Sequence, residues 1–143
     1  MFGVSATTGE NPSVRRQVIA FVSALVTWVL VASVLNRLLR VGFPGYAAAE
    51  PTMVFTLSMK WARLALGALA SLCAGYVVAR LAPNGGRLPL ILGALLLATF
   101  VPVHYNLWNK FPVWYHLLFL LPIVPSVIVG ARIGARKPGA TGS

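Results

Sequence analysis

Carboxylates are scarce in this sequence. Its 143 residues include two acids, Glu10 and Glu50, and no aspartate. Hydrolysis by a pair of carboxylates needs two acids near one bond, which the apolar body cannot supply. Magnesium sites for phosphoryl transfer also draw on carboxylates, and no glycine-rich Walker-type loop occurs. Proton-coupled pumps commonly hold an Asp or Glu within a span, and none lies in the apolar runs. Ser58, Ser71 and Ser126 have no evident His–acid companions in the sequence. These gaps point away from a stand-alone enzyme and from an ion-coupled transporter.

Cysteine is nearly missing too. Cys73 is alone, which excludes an intramolecular disulfide, and it sits in an apolar stretch where a lone thiol packs as a small hydrophobe. Charge of either sign is rare: 10% of residues, against about 25% in an ordinary soluble domain. Hydrophobic residues make up 58%. A water-soluble fold of this size could not hide so much apolar surface, and a bilayer is the medium that could solvate it.

The net charge of +10 raises the question of nucleic acid. The twelve Lys and Arg form no run, however, and no aromatic–basic platform stands within a soluble domain. They stand singly or in pairs at the ends of apolar segments, as topology signals and contacts to anionic headgroups do. Membrane lipids, anionic headgroups among them, are therefore the expected partners, and nucleic acid is not.

Four apolar runs follow, at about 18–35, 61–82, 88–107 and 112–131. Each approaches the ~20 residues that cross ~30 Å of hydrocarbon at 1.5 Å per residue. None alternates like a barrel strand, and backbone groups in lipid must be satisfied within their own segment, so helices are expected. The fold class read here is an all-α membrane protein with four transmembrane helices in an up-down-up-down bundle. Residues 15–137 form that domain, between polar tails at 1–14 and 138–143. VGFPGY (41–46) with Pro51, PNGG (83–86) and NKFP (109–112) punctuate the connections, and Pro112 suits a first helical position. The second helix is allowed to begin as early as Thr52. Arg15-Arg16 superficially resembles a twin-arginine signal, but the run is long and Arg37 and Arg40 flank it like a stop-transfer sequence, so an uncleaved first helix is expected.

Orientation follows from counting. Arg15, Arg16, Arg80, Arg87, Arg132, Arg136 and Lys137 share one side; Arg37, Arg40, Lys60, Arg63 and Lys110 share the other. Seven against five places both termini in the cytoplasm. Heavy use of Ala, Gly, Pro and of Arg over Lys suits a GC-rich bacterial genome, so the bacterial inner membrane is the expected location.

Small residues mark where helices meet. Gly67, Ser71, Gly75 and Ala79 recur every four residues and form a stripe on the second helix; Gly130 and Gly134 make a GxxxG on the fourth. These six are expected at the tightest contact, within the chain or with another protein. Pro122 and Pro125 each lack an N–H and predict a kink in the fourth helix, and Pro102 predicts a disturbance in the third.

The most polar and aromatic stretch is HYNLWNKFPVWYH (104–116). His104 and His116 flank Lys110 by six residues each, which sets them at similar depth on adjacent helices. Tyr105, Trp108, Trp114 and Tyr115 surround them. One reading is an aromatic interfacial belt. Another is a pocket for a lipid or small hydrophobic or anionic ligand, with Lys60, Trp61 and Arg63 arriving from the second helix. A third is a His-centred haem or metal site, for which no spacing signature exists. Glu50, before Pro51, suits a helix start and pairing with Arg40, Lys60 or Arg63. No catalytic residue, metal ligand or cofactor is assigned. The expected function is a non-catalytic accessory or assembly subunit beside larger membrane partners; the alternative is a self-associating carrier or channel-like protein for such a ligand.

Overall fold

A computed structural model describes residues 12–136; most of the expected N-terminal tail with Glu10, together with Lys137 and the whole expected C-terminal tail (138–143), lies outside them. Six helices follow in order: α1 (Pro12–Gly42), α2 (Tyr46–Ala49), α3 (Leu57–Leu81), α4 (Leu88–Asn106), α5 (Val113–Leu120) and α6 (Ile123–Ala135). There is no strand among the described residues. Helices α1, α3, α4 and the α5–α6 pair (residues 113–135) are long and apolar enough to cross a membrane, so the chain is a multi-pass, all-α membrane bundle.

The boundaries differ from those read in the sequence. Helix α1 is longer at both ends than its apolar core of 18–35, beginning inside the segment taken as tail. Polar and charged residues continue a helix readily once the apolar stretch has formed it. Helix α3 starts at Leu57, not near Thr52: the Thr56 hydroxyl accepts from the Met59 N–H at 3.3 Å, a side-chain N-cap. Pro112 caps α5 from outside, with extended backbone, and is not its first helical residue. The fourth span breaks at Leu121–Pro122 and resumes at Ile123, while Pro125 is carried inside α6. Pro102 does not end α4, which runs four residues past it and closes with Leu107 N–H on the Val103 carbonyl at 3.1 Å.

Helix α3 lies at the centre, with α1 and α6 packed against it and α4 against α6. The two small-residue stripes face each other. A Cβ on Gly75 would run into the Val127 carbonyl, one on Gly130 into the Leu72 carbonyl, and one on Gly134 against Tyr76. Backbones therefore meet along this crossing, where lipid supplies no hydrophobic drive and close dispersion contact takes its place. Ser71, on the same stripe, gives its hydroxyl proton to the Gly67 carbonyl at 2.8 Å and accepts from the Trp28 indole N–H at 3.2 Å, tying α1 to α3. Ala20, Ala24, Ala74, Val78, Leu92, Leu96, Ile123 and Val127 fill the middle of the bundle. A second core of Tyr46, Phe55, Met59, Phe111 and Tyr115 closes the end that carries the 43–56 and 107–112 loops.

Candidate functional site

The 43–56 segment supplies groups that the sequence places far from the second helix. Gly45 takes φ +80°, a conformation a side chain resists, and turns the chain into the single turn of α2. That turn buries Tyr46 completely. Its hydroxyl donates to Asn36 Oδ1 of α1 at 2.9 Å and accepts from Arg63 Nη1 of α3 at 2.8 Å. Asn36 Nδ2 donates to Glu50 Oε1 at 3.0 Å, and Arg40 Nη2 stands 2.6 Å from Glu50 Oε2. Arg63 Nε donates to the Tyr115 hydroxyl at 3.3 Å, and its guanidinium lies 4.7 Å from the centroid of the Phe55 ring. One polar chain thus joins α1, α2, α3 and α5.

Glu50 does not stand at the start of α3 as its place before Pro51 implies. It is the C-cap of α2, and its partner is Arg40, not Lys60 or Arg63. Burial pushes its carboxyl up, but the hydrogen bonds from Arg40 and Asn36 and the charges of Arg40 and Arg63 outweigh it and hold the group below the ordinary carboxylate value. Burial likewise raises the Tyr46 phenol, against the opposing pull of Arg63. Tyr46 therefore stays a neutral phenol near pH 7, and it does not neutralise the Arg63 charge.

Beside this chain lies an open cleft of about 780 Å³. Its α1 wall is one helical stripe: Val29, Ala32, Ser33, Asn36 and Arg40, with Trp28 at the foot. Leu66, Phe100 and Phe119 form the apolar side opposite, and Glu50, Pro51 and Met53 close the loop end. Arg63 borders it as well, half-buried. Among the described residues Arg63 has no carboxylate within ion-pair distance; the one salt bridge joins Arg40 and Glu50. The cleft is therefore cationic and polar at the loop end and apolar toward the middle of the spans. A single face of hydrocarbon and a single charged end match the shape of an amphiphile.

The two histidines do face each other. His104 Nδ1 and His116 Nδ1 are 2.8 Å apart, so one ring donates its N–H and the other accepts. Both are buried, and His116 Nε2 has no hydrogen-bond partner. Trp108 stacks on His116 at 4.8 Å and Phe119 packs on His104 at 4.5 Å. A tetrahedral ion with ~2.0–2.1 Å bonds needs its nitrogens about 3.3 Å apart, more than this contact leaves. No cluster of three His, Cys, Asp or Glu side chains occurs among the described residues.

The remaining candidates scatter. Tyr105 is exposed, Trp61 stacks on Trp114 at 5.8 Å on the outer surface, and Lys60 is not among the residues that line the cleft beside Arg63. Tyr115 is buried between Arg63 and Phe111. Of the nine ligand candidates only Arg63 lines the cleft, and the histidines pack with their aromatic neighbours behind it, meeting the cleft wall at Phe119. Sequence reasoning missed Asn36, Tyr46 and the α1 wall. The 29–32–33–36–40 spacing was the available signal: it sets Asn36 and Arg40 on one face with small residues below. No family model, curated protein or solved structure matches the chain.

Proposed function

We propose that this is a non-catalytic protein of the bacterial inner membrane, with both termini cytoplasmic, that holds an anionic amphiphile drawn from the bilayer. The headgroup meets Arg63 and the loop end of the cleft; the tail lies between Trp28, Leu66, Phe100 and Phe119. One observation carries this reading. Among the described residues, Arg63 is a half-buried cation that gives two N–H groups to tyrosine hydroxyls, has no carboxylate within ion-pair distance, and borders a cleft with apolar walls. Removing a guanidinium from water is costly unless an anion compensates it. The cleft opens beside α1 and α4, which meet through Trp28 and Phe100 at its foot, and a ligand is expected to enter it sideways at the depth of the spans. From Arg40 to Trp28 the α1 wall runs about 18 Å, near half the ~30 Å hydrocarbon thickness and thus near the reach of one leaflet.

The test is binding to the full chain in phosphatidylcholine nanodiscs. Spin-labelled phosphatidylglycerol is expected to be motionally restricted beside the wild-type protein, beyond what labelled phosphatidylcholine shows. Arg63→Gln is expected to weaken that preference about tenfold, the loss of one charge-assisted contact. Equal restriction of the two lipids in wild type contradicts the proposal.

The accessory-subunit role is a second reading, favoured by the coverage of α1. The most apolar part of α1 is 11% buried, against 44% for α3, so its outer face is left for lipid or another subunit. Purification of the intact assembly with mass spectrometry separates a stoichiometric complex from a protein bearing lipid alone.

A further inference from the structure

Resting on the cleft reading, we infer that Glu50 sets the charge of the accepted headgroup: the site takes a monoanion, a carboxylate or a phosphodiester, and discriminates against a phosphomonoester dianion. The charged groups bordering the cleft are Arg40, Arg63 and Glu50, from α1, α3 and the end of α2. Two cations and one anion leave a single net positive charge.

Glu50 cannot step aside to change that sum. Its two oxygens are held by separate side chains of α1, Oε1 by Asn36 at 3.0 Å and Oε2 by Arg40 at 2.6 Å. Asn36 is in turn fixed by Tyr46, which is fixed by Arg63. The carboxylate is therefore a resident counter-ion, tied into the same chain that positions the free cation.

Arg63 keeps the means to bind. A guanidinium has five N–H donors, and Tyr115 and Tyr46 take two of them. The remaining three can engage the oxygens of one carboxylate or one phosphodiester. Such a monoanion cancels the site's net charge. A phosphomonoester brings close to two negative charges above its second pKa of about 6, and the excess stands beside Glu50 in a cleft with apolar walls, where charge repulsion is poorly screened.

The test is competition with spin-labelled phosphatidylglycerol on the full chain in phosphatidylcholine nanodiscs, using unlabelled phosphatidylglycerol, oleate and phosphatidic acid. The first two distinguish a phosphodiester lipid from a free fatty acid as occupant. In wild type at pH 8, phosphatidic acid is expected to compete about tenfold less well than phosphatidylglycerol, a factor within the range of one unscreened charge. In Glu50→Gln the order is expected to reverse or level, while Glu50→Asp keeps it. Without any variant, phosphatidic acid should compete better at pH 6 than at pH 8 on the wild-type protein, with phosphatidylglycerol unchanged. A ratio of phosphatidic acid to phosphatidylglycerol that is the same in wild type and Glu50→Gln, or that ignores pH, overturns the role of Glu50. Failure of every anionic lipid to outcompete phosphatidylcholine overturns the cleft reading itself.

Discussion

Arg63 and Lys60 sit one helical turn apart, and the sequence treats them alike. Both are cations near a span end with an aromatic between them, which suits interfacial anchoring of either. The fold separates them. Arg63 is drawn into Tyr46, Tyr115 and Phe55, and its planar fork can serve two phenols while leaving donors for a ligand. Tyr46 lies 17 residues away, across a loop whose path no local periodicity sets, so this environment could not be read ahead of the structure. Glu50 is legible in part for a related reason: pairing with Arg40 is among the options its sequence position allows and is the one formed, whereas its place before Pro51 suggests a helix start, and α3 begins seven residues after it, at Leu57. Its actual role as a latch has a pH signature. The carboxyl titrates near 4.5 when unfolded and lower when folded. Protons therefore bind the unfolded chain more tightly, so the latch contributes fully above pH 4.5 and its contribution is lost as pH falls through the folded value. The stability gap between wild type and Glu50→Gln, followed as unfolding temperature in detergent, is expected to close as pH is lowered from about 6 to about 3. A gap that widens on acidification contradicts the latch.

At the scale of helices, the α3–α6 crossing is the feature most fully visible in the sequence. The four-residue recurrence of Gly67, Ser71, Gly75 and Ala79 is a property of one helix and survives any tertiary arrangement. What the spacing alone leaves open is the partner, and the structure supplies it in Gly130 and Gly134 of α6. The spans were legible because backbone satisfaction in lipid leaves few options, and the prolines were legible only in part. Pro122 breaks the fourth span where its missing N–H falls at the α5–α6 junction. Pro102 is absorbed, since α4 loses one bond to it and neighbouring helices hold the rest in place, and Pro125 is third in α6, where the N–H it lacks has no partner within that helix. Gly75→Val and Gly130→Val place a side chain where a neighbouring carbonyl already stands. Each is expected to destabilise the bundle by about 1–3 kcal/mol, as overpacking does, measured by unfolding in mixed micelles. Gly42→Ala, at a position with no neighbour within 4 Å, is the control and should change little. Equal stability of all three variants contradicts a backbone-to-backbone crossing.

For the whole molecule, the proposed function rests on a gap more than on any motif. Helices α1 and α4 meet at Trp28 and Phe100, and the space above that contact is lined by residues from five separate parts of the chain. Such a gap has no sequence signature, whereas the equal depth of His104 and His116 did, because it needed only one helical hairpin and a count of six residues on each side. The polar stretch that stands out most in the sequence became a packed aromatic cluster, and the cleft formed where Arg40, Glu50 and Arg63 meet residues of α1 that draw no notice singly. If an anionic amphiphile occupies this gap with its tail on the inner wall, photo-crosslinking should locate it: phosphatidylglycerol with a diazirine on its acyl chain, incorporated in nanodiscs with the full protein, followed by peptide mapping. Label is expected to concentrate on Trp28, Leu66, Phe100 and Phe119, and to be lost from them in Arg63→Gln. Label spread evenly over the outer faces of α1 and α4, and unchanged by that substitution, would contradict it.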